Sequence, residues 1–262
     1  MSASRREVSV PEVVDQLRAL GVVEGDVLLV HASFRAARPI ERALAGLIEA
    51  LGLSLGRTGT LVMPSWTCDD DRPFDPAVTP PAPDLGAVAD MFWRMPGVRR
   101  GDHPFAFAAR GPKAAYILSD PMALPPHQRA SAVGKVLDCD GRILLLGVDH
   151  DANTTLHLAE LLAGVPYRRS RHITVCGESG PKRIDYLEND HCCELFRKAN
   201  GWLQECGLQS EGPVGHAPSK LMRSSDLIEA TVPRLERDPF TFLHPSGAEC
   251  AECADAWRNI PA

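Results

Sequence analysis

Apolar residues fall at helical spacing at Val13, Val14, Leu17 and Leu20, behind the run Ser9-Val10-Pro11-Glu12 and ahead of Gly21. A capping box with proline in the first turn opens the segment and glycine closes it, so the pattern predicts a helix over about 11–20. Val27-Leu28-Leu29-Val30 is a short unbroken apolar run after Gly25-Asp26. Lacking polar alternation, it predicts a strand covered on both faces. Helical spacing returns at Ile40, Ala43, Leu44, Leu47, Ile48 and Leu51, and Gly59-Thr60-Leu61-Val62-Met63 predicts a second buried strand. The opening order is α, β, α, β.

Pro64 to Pro83 breaks this rhythm: it is rich in proline and aspartate, carries Trp66 and Phe74, and shows no sustained period. A loop longer than roughly 12 to 15 residues inside a compact domain is usually functional or disordered, and the two aromatic anchors favour an ordered one. Beyond it the pattern predicts a helix over Leu85 to Trp93, a strand over Phe105 to Ala108, and short helices over Pro112 to Leu118 and Val133 to Leu137. A buried strand over Arg142 to Gly147 and a helix over Thr154 to Leu162 follow. The character then changes. Ile173 to Cys176 and Lys182 to Leu187 flank Gly177-Glu178-Ser179-Gly180 as a hairpin. After them come a helix from about His191 to Glu205, a turn at Gly212-Pro213, a strand near Ser219 to Met222 and a last helix opened by Ser225-Asp226. The expected fold is α/β, one domain over residues 1–262, with a central mixed sheet flanked by helices and an antiparallel subdomain from about residue 165.

Composition narrows the function classes. The 262 residues carry 28 Lys+Arg against 34 Asp+Glu, a formal charge of −6, and 44% are apolar. That is enough apolar material for a large core. The acidic balance disfavours nucleic acid as a partner, because phosphates demand basic surface. It leaves a cationic small molecule open. The start, MSASRREVSV, lacks the apolar stretch of roughly 7 to 15 residues that a secretory signal needs. The longest dense apolar run, Ile143 to Val148, is far short of the roughly 20 residues that span a bilayer. The expectation is a cytoplasmic protein with no membrane partner, whose eight cysteines stay reduced.

The run from Gly147 to Glu160, GVDHDANTTLHLAE, carries the most chemistry. A buried strand enters a polar loop and then a helix, so unpaired helix N–H groups face the ligand crevice of an open α/β sheet. His157 lies within the first helical turns and reaches that crevice; the plain alternative is a surface pair with Glu160 at i,i+3. Zinc chemistry at His157 is disfavoured, since no His-Glu-x-x-His run supplies a ligand set. A second segment, Asp185 to Glu194, puts four carboxylates in ten residues. Asp190 as a helix cap and Glu194 as an early-helix acid account for two of them, which leaves Asp185 and Glu188. An acid set against an imidazole fixes its tautomer and raises its basicity. In the long loop, Trp66-Thr67-Cys68-Asp69-Asp70-Asp71 is either a solvated turn or a cradle for a polyamine or aminosugar. Cys250-Ala251-Glu252-Cys253 is half a structural zinc site, with Cys192-Cys193, His191 and His244 available elsewhere. Both a zinc-clamped C-terminus, held by Cys193, Cys250 and Cys253, and unliganded thiols remain open.

With these segments placed, the chain resembles the aminoglycoside 3-N-acetyltransferases, an antibiotic acetyltransferase family unrelated in fold to the GNAT acetyltransferases. The carriers are LLVHASFR at 28–35, GTLVMPSW at 59–66, Phe74-Asp75-Pro76, HPFAF at 103–107, HDANTTLHLAE at 150–160 and YLEND at 186–190. The last two runs and the Cys-x-x-Cys tail are most similar to the type IV branch, which acts on apramycin as well as gentamicin-like drugs. The resemblance implies direct acetyl transfer from acetyl-CoA within a ternary complex, with His157 as general base, Glu188 orienting it, and Thr154 steadying the thioester oxyanion. It places CoA along His31, Ala32, Ser33, Phe34 and Arg35 and the Pro104-Phe105 strand, and puts Trp66, Asp69, Asp70, Glu188 and Asp190 against the drug's ammonium groups. Ala32 stands where relatives often carry serine. A homodimer is a further family-level expectation. Two other classes stay open: a His/Glu amide or ester hydrolase, which lacks a Gly-x-Ser-x-Gly elbow, and a non-catalytic protein that sequesters a cationic antibiotic.

Overall fold

The computed structural model describes residues 5–177 and 180–260, so Glu178 and Ser179 of the expected hairpin turn, and residues 1–4, lie outside the described residues. Its strands are β1 (Val27–Ala32), β2 (Thr60–Pro64), β3 (Arg99–Arg100), β4 (Phe107–Arg110), β5 (Arg142–Leu146), β6 (Arg169–Gly177), β7 (Gly180–Glu188), β8 (Gln209–Val214) and β9 (Ala217–Arg223). Seven form one sheet in the order β3-β4-β2-β1-β5-β9-β8, and β6 pairs only with β7. β1 runs parallel to β2 and β5, while β4 is antiparallel to β2 and β9 antiparallel to β5. The mixed sheet is the expected one. The antiparallel strands after residue 165 divide, however: β8 and β9 extend the central sheet, and only the β6–β7 hairpin stands apart.

The helices are α1 (Val10–Leu20), α2 (Phe34–Ala37), α3 (Ala43–Leu55), α4 (Gly86–Trp93), α5 (Ala114–Ile117), α6 (Ala132–Asp138), α7 (Thr155–Ala163), α8 (Ala199–Glu205), α9 (Ser224–Arg237) and α10 (Ala251–Arg258). α1 begins where the capping box predicts, with Ser9 and Glu12 satisfying each other's backbone N–H groups, and ends on left-handed Gly21. Successive strand residues serve opposite layers. Leu28 and Val30 pack with Leu47, Leu51 and Phe92 of α3 and α4, whereas Leu29 packs with Val133 and Val136 of α6. On the same face as Leu29, a third apolar cluster joins Ile143 and Leu145 to Phe196, Leu227 and Phe242. Helices on both faces explain why β1, β2 and β5 read as unbroken apolar runs. Truncating fully buried Leu29 to alanine would cost about 2–5 kcal/mol. Among the described residues no helix is long and apolar enough to cross a membrane.

Three elements depart from the sequence expectation. The strand expected at Phe105 begins at Phe107, because Ala106 N–H closes a turn onto the His103 carbonyl. Gly212-Pro213 lies inside edge strand β8, opposite Pro218, and the turn falls at Gly215-His216. Proline donates no ladder hydrogen bond, and an edge strand tolerates that loss. The helix expected from His191 starts at Ala199, after a 3-10 turn over Glu194–Lys198, because Cys193 holds a left-handed backbone with φ 59°. The chain then ends on α10, which its short apolar pattern did not announce.

Candidate active site

The carboxyl ends of β1, β2 and β5 open on one cleft of about 260 Å³, lined among others by His31, Ala32, Met63, Pro64, Trp66, Asn153, Thr154, His157 and Cys193. The chain leaves β1 toward β2 on one side and later returns with β5 on the other, and such a reversal leaves a crevice that no crossover covers. Gly147 takes the strand into the loop with φ 67°; a Cβ there would lie 2.6 Å from Ala36 Cβ. The loop itself is fastened. Asp149 accepts hydrogen bonds from His150 N–H, Asn200 and Lys220, and buried His150 bridges Asn153 and Gln209. Asn153 Oδ1 then accepts the Thr155 N–H at the head of α7. That helix directs its positive end at the cleft, where negative charge is stabilised.

His157 sits on the first turn of α7 with 19% of its side chain exposed, and its Nδ1 is 2.9 Å from Oε2 of fully buried Glu160. The i,i+3 pair is therefore real, but it is an interior pair and not a surface one. The acid in contact with Nδ1 is Glu160, where the resemblance placed Glu188. Glu160 is a hub: its Oε1 accepts from His191 Nε2 at 2.8 Å and from the Tyr167 hydroxyl. Burial alone would raise its pKa, but His191 and His157 outweigh burial and hold it at about 2. A carboxylate so fixed accepts the Nδ1 proton and turns the Nε2 lone pair outward. Burial would lower the His157 pKa; Cys193 and Glu160 outweigh it and raise the imidazole well above its ordinary range. Cys193 Sγ stands 3.6 Å from Nε2.

Other imidazoles frame this one. His127 stacks on His157 at 5.5 Å and 17°, and burial pushes its pKa down to about 3. His31 Nε2 lies 3.3 Å from Thr154 Oγ1, and burial takes it down to about 4. Both are neutral at pH 7.

The acidic residues divide by partner. Glu188 shares a small cavity with His157, His127 and Leu161, and its carboxylate accepts from Tyr186 at 3.3 Å. Burial raises it to about 7, against the pull of His157. Burial likewise raises Asp70, whose backbone carbonyl is held by Thr174 of β6. Asp190 is already engaged by both Arg169 and Arg171, and Asp69 by Arg72 at 3.4 Å. Of the acids expected to face a cation, Glu188 and Asp70 thus have no arginine partner among the described residues. Trp66 lines the cleft beside Phe107 and His127.

The CoA-facing expectation also splits. His31 and Ala32 line the cleft; Ser33 heads the short helix α2, whose Phe34 packs partly into the core and whose Arg35 is exposed. Pro104 and Phe105 belong to the turn before β4, not to a strand; Pro104 accepts the Thr67 N–H and Phe105 meets Tyr186 edge-on at 5.6 Å. The expected metal set changes as well. Cys193 is not with Cys250 and Cys253; the cysteine beside them is Cys192, with His244 as the fourth donor.

Sequence reasoning missed Glu160 as the acid at Nδ1, and His127 and Cys193 as neighbours of His157. The first has a signal, the His-x-x-Glu spacing on one helix face, whose plain reading is a surface pair. The other two arrive from distant loops, and no spacing reports them.

A sequence model described as aminoglycoside 3-N-acetyltransferase matches residues 29–236. The chain is 59% identical over 234 residues to aminoglycoside N(3)-acetyltransferase IV of a Salmonella species, covering 89% of this chain and 90% of that protein. It is similar to a solved His-to-Ala variant of aminoglycoside acetyltransferase AAC(3)-IVa in complex with a gentamicin: TM-score 0.97, 56% identity, 99% of this chain and 100% of that one. The same variant in complex with apramycin gives a TM-score of 0.90 at 55% identity, over 96% and 100% of the two chains.

Proposed function

Since the chain belongs to the aminoglycoside 3-N-acetyltransferase family and shares its fold, which is not the GNAT fold, we propose that this transferase acetylates the 3-amino group of a 2-deoxystreptamine ring from acetyl-CoA, conferring resistance in the cytoplasm. The observation that carries the mechanism is the His157 imidazole at the cleft, with Nδ1 held by buried Glu160 and Nε2 on the side of the cleft and Cys193. An aliphatic amine is mostly protonated at neutral pH and attacks a thioester only as the free base. His157 takes the proton from the attacking nitrogen as the N–C bond forms. Thr154, beside the N-terminus of α7, holds the oxygen that becomes negative. As the C–S bond breaks, the imidazolium returns its proton to the departing sulfur, so atoms and charge balance without a covalent enzyme intermediate. Glu160 remains ionised and steadies the imidazolium throughout.

Glu188 and Asp70, backed by Trp66, receive the drug's ammonium groups, with Asp69 and Asp190 contributing less because their arginine partners offset their charge. AAC(3)-IVa, crystallised with a gentamicin and with apramycin, supports both as substrates of this chain. The exposed Arg35 and the backbone from His31 to Phe34 meet the CoA phosphates and pantetheine arm, with Pro104-Phe105 flanking it.

One observation favours a second reading. Cys193, His157 and Glu160 stand in the order of a cysteine-histidine-carboxylate triad, in which sulfur carries the acetyl group between two half-reactions. A single assay addresses both. Protein mixed with acetyl-CoA, a panel of aminoglycosides and a thiol reagent is expected to release CoA thiol only when drug is present, and His157→Ala to lower the rate by about 10²–10⁴-fold. Release from Cys193→Ser at near the parent rate supports direct transfer. Loss of turnover in that variant, with trapped acetyl-enzyme in the parent, supports the triad. No release with any drug overturns both.

A further inference from the structure

Cys192, His244, Cys250 and Cys253 bring four soft or borderline donor atoms within 4.8 Å of one another, away from the cleft that Cys193 lines. Cys192 Sγ is 3.7 Å from Cys253 Sγ, and His244 Nδ1 is 3.4 Å from Cys192 Sγ and 3.5 Å from Cys253 Sγ. Zinc bonds of about 2.3 Å to sulfur and about 2.0 Å to nitrogen, placed tetrahedrally, give edges of about 3.8 Å for S···S and about 3.5 Å for S···N. The observed edges agree. We propose that these four side chains bind one zinc ion in a closed, structural site that staples the C-terminal helix α10 to the loop holding Cys193 against His157.

The surroundings are those of a ligand set. The Glu194 carboxylate lies 3.6 Å from His244 Nε2, on the ring edge opposite the Nδ1 that faces the cysteines. Trp257 Nε1 donates to the His244 carbonyl at 2.8 Å, closing the segment onto α10. The helix also needs a staple. α10 spans eight residues, fully buries only Cys253 and Ala256 and packs Trp257 partly against Phe240, a small apolar face for a helix of two turns. Four protein ligands leave no open position, so the metal has a structural and not a catalytic place. Its reach into the cleft is indirect. Cys192 and Cys193 are consecutive, and Asp255 of α10 pairs with Arg169, which also holds Asp190.

The site stands or falls independently of acetyl transfer, because its test reads metal. Full-length protein purified without chelator is expected to carry about one zinc per chain by elemental analysis. Cys192→Ser and Cys250→Ser should lose it, while Cys193→Ser and the exposed-site control Cys206→Ser keep it. His244→Cys, which restores a four-ligand set, guards against simple misfolding. It should retain metal and, after cobalt exchange, show a stronger sulfur-to-cobalt absorption than the parent. A strong chelator should lower the parent melting temperature by more than about 5 °C and leave the Cys250→Ser melting temperature unmoved. Zinc-free parent protein that shows no cobalt spectrum on reconstitution overturns the proposal. Metal that survives Cys192→Ser but not Cys193→Ser overturns the ligand assignment.

Discussion

Two walls of the same cleft carry imidazoles in opposite electrical states. On the β1 wall, His31 is buried with the Thr154 hydroxyl as its side-chain hydrogen-bond partner among the described residues, and burial keeps it neutral, with a pKa of about 4. On the α7 wall, His157 is nearly as secluded, yet Glu160 and Cys193 raise it well above its ordinary range. Burial acts on both; the acidic neighbours, Cys193 first and then Glu160, decide. Of two buried imidazoles at this sheet mouth, the one with acidic groups on both ring edges is the stronger base.

Removing the carboxylate tests the contrast most severely. Glu160→Gln should lower kcat by about 10–10³-fold, since the imidazole loses the group that orients it and stabilises its charged form. The sign of the pH effect follows from the same contact. Glu160 raises the His157 pKa, so the rate rises as pH climbs through that raised value, and the variant's rising limb should move to lower pH. A pH–rate profile with the limb unmoved would show that Glu160 does not set the base. The variant should also melt at a lower temperature, because His191 and Tyr167 lose the same partner.

A smaller effect is expected at the substrate side. Glu188 is raised to about 7 by burial, so it is half-charged near neutrality and gains charge as pH rises. Equilibrium binding of a polycationic drug should strengthen between about pH 6 and about pH 8, and Glu188→Gln should flatten that rise, weakening affinity about 10-fold at the upper end. Calorimetric titration at both pH values measures it. A parallel pH dependence in parent and variant would remove Glu188 from the cation site. The smallest effect belongs to the β1 wall: His31→Gln keeps a neutral hydrogen-bonding group beside Thr154, so kcat should fall less than about 10-fold with the pH limb in place. A displaced limb would mean that His31 carries charge after all.

Much of the framework was legible because it obeys local rules. The Ser9–Glu12 capping box, the apolar runs of β1, β2 and β5 and the loop-to-helix entry at Thr154 are each specified within a few residues. Pro213 misled because a proline read as a turn is equally at home in an edge strand, and whether a strand is an edge depends on what pairs beside it. The resemblance placed His157 and Thr154 at the cleft and named the acidic segments, but not which acid touches which base.

The order of strands and helices, the polarity of the α7 mouth and the position of His157 in it were therefore set by the sequence alone, through periodicity, caps and helix N–H groups. Partner choice was left to tertiary structure. The Glu160 contact is the local exception, since one helical turn sets the i,i+3 pair at contact distance; that β7 presents Glu188 from across a cavity is decided only by packing. Cys192 and Cys193 face different sites although they are adjacent in the chain, since the left-handed backbone at Cys193 turns one thiol toward His157 and leaves the other with His244, Cys250 and Cys253. Contacts between residues far apart in sequence are fixed only when the layers pack, and the chemistry of this cleft rests on several of them.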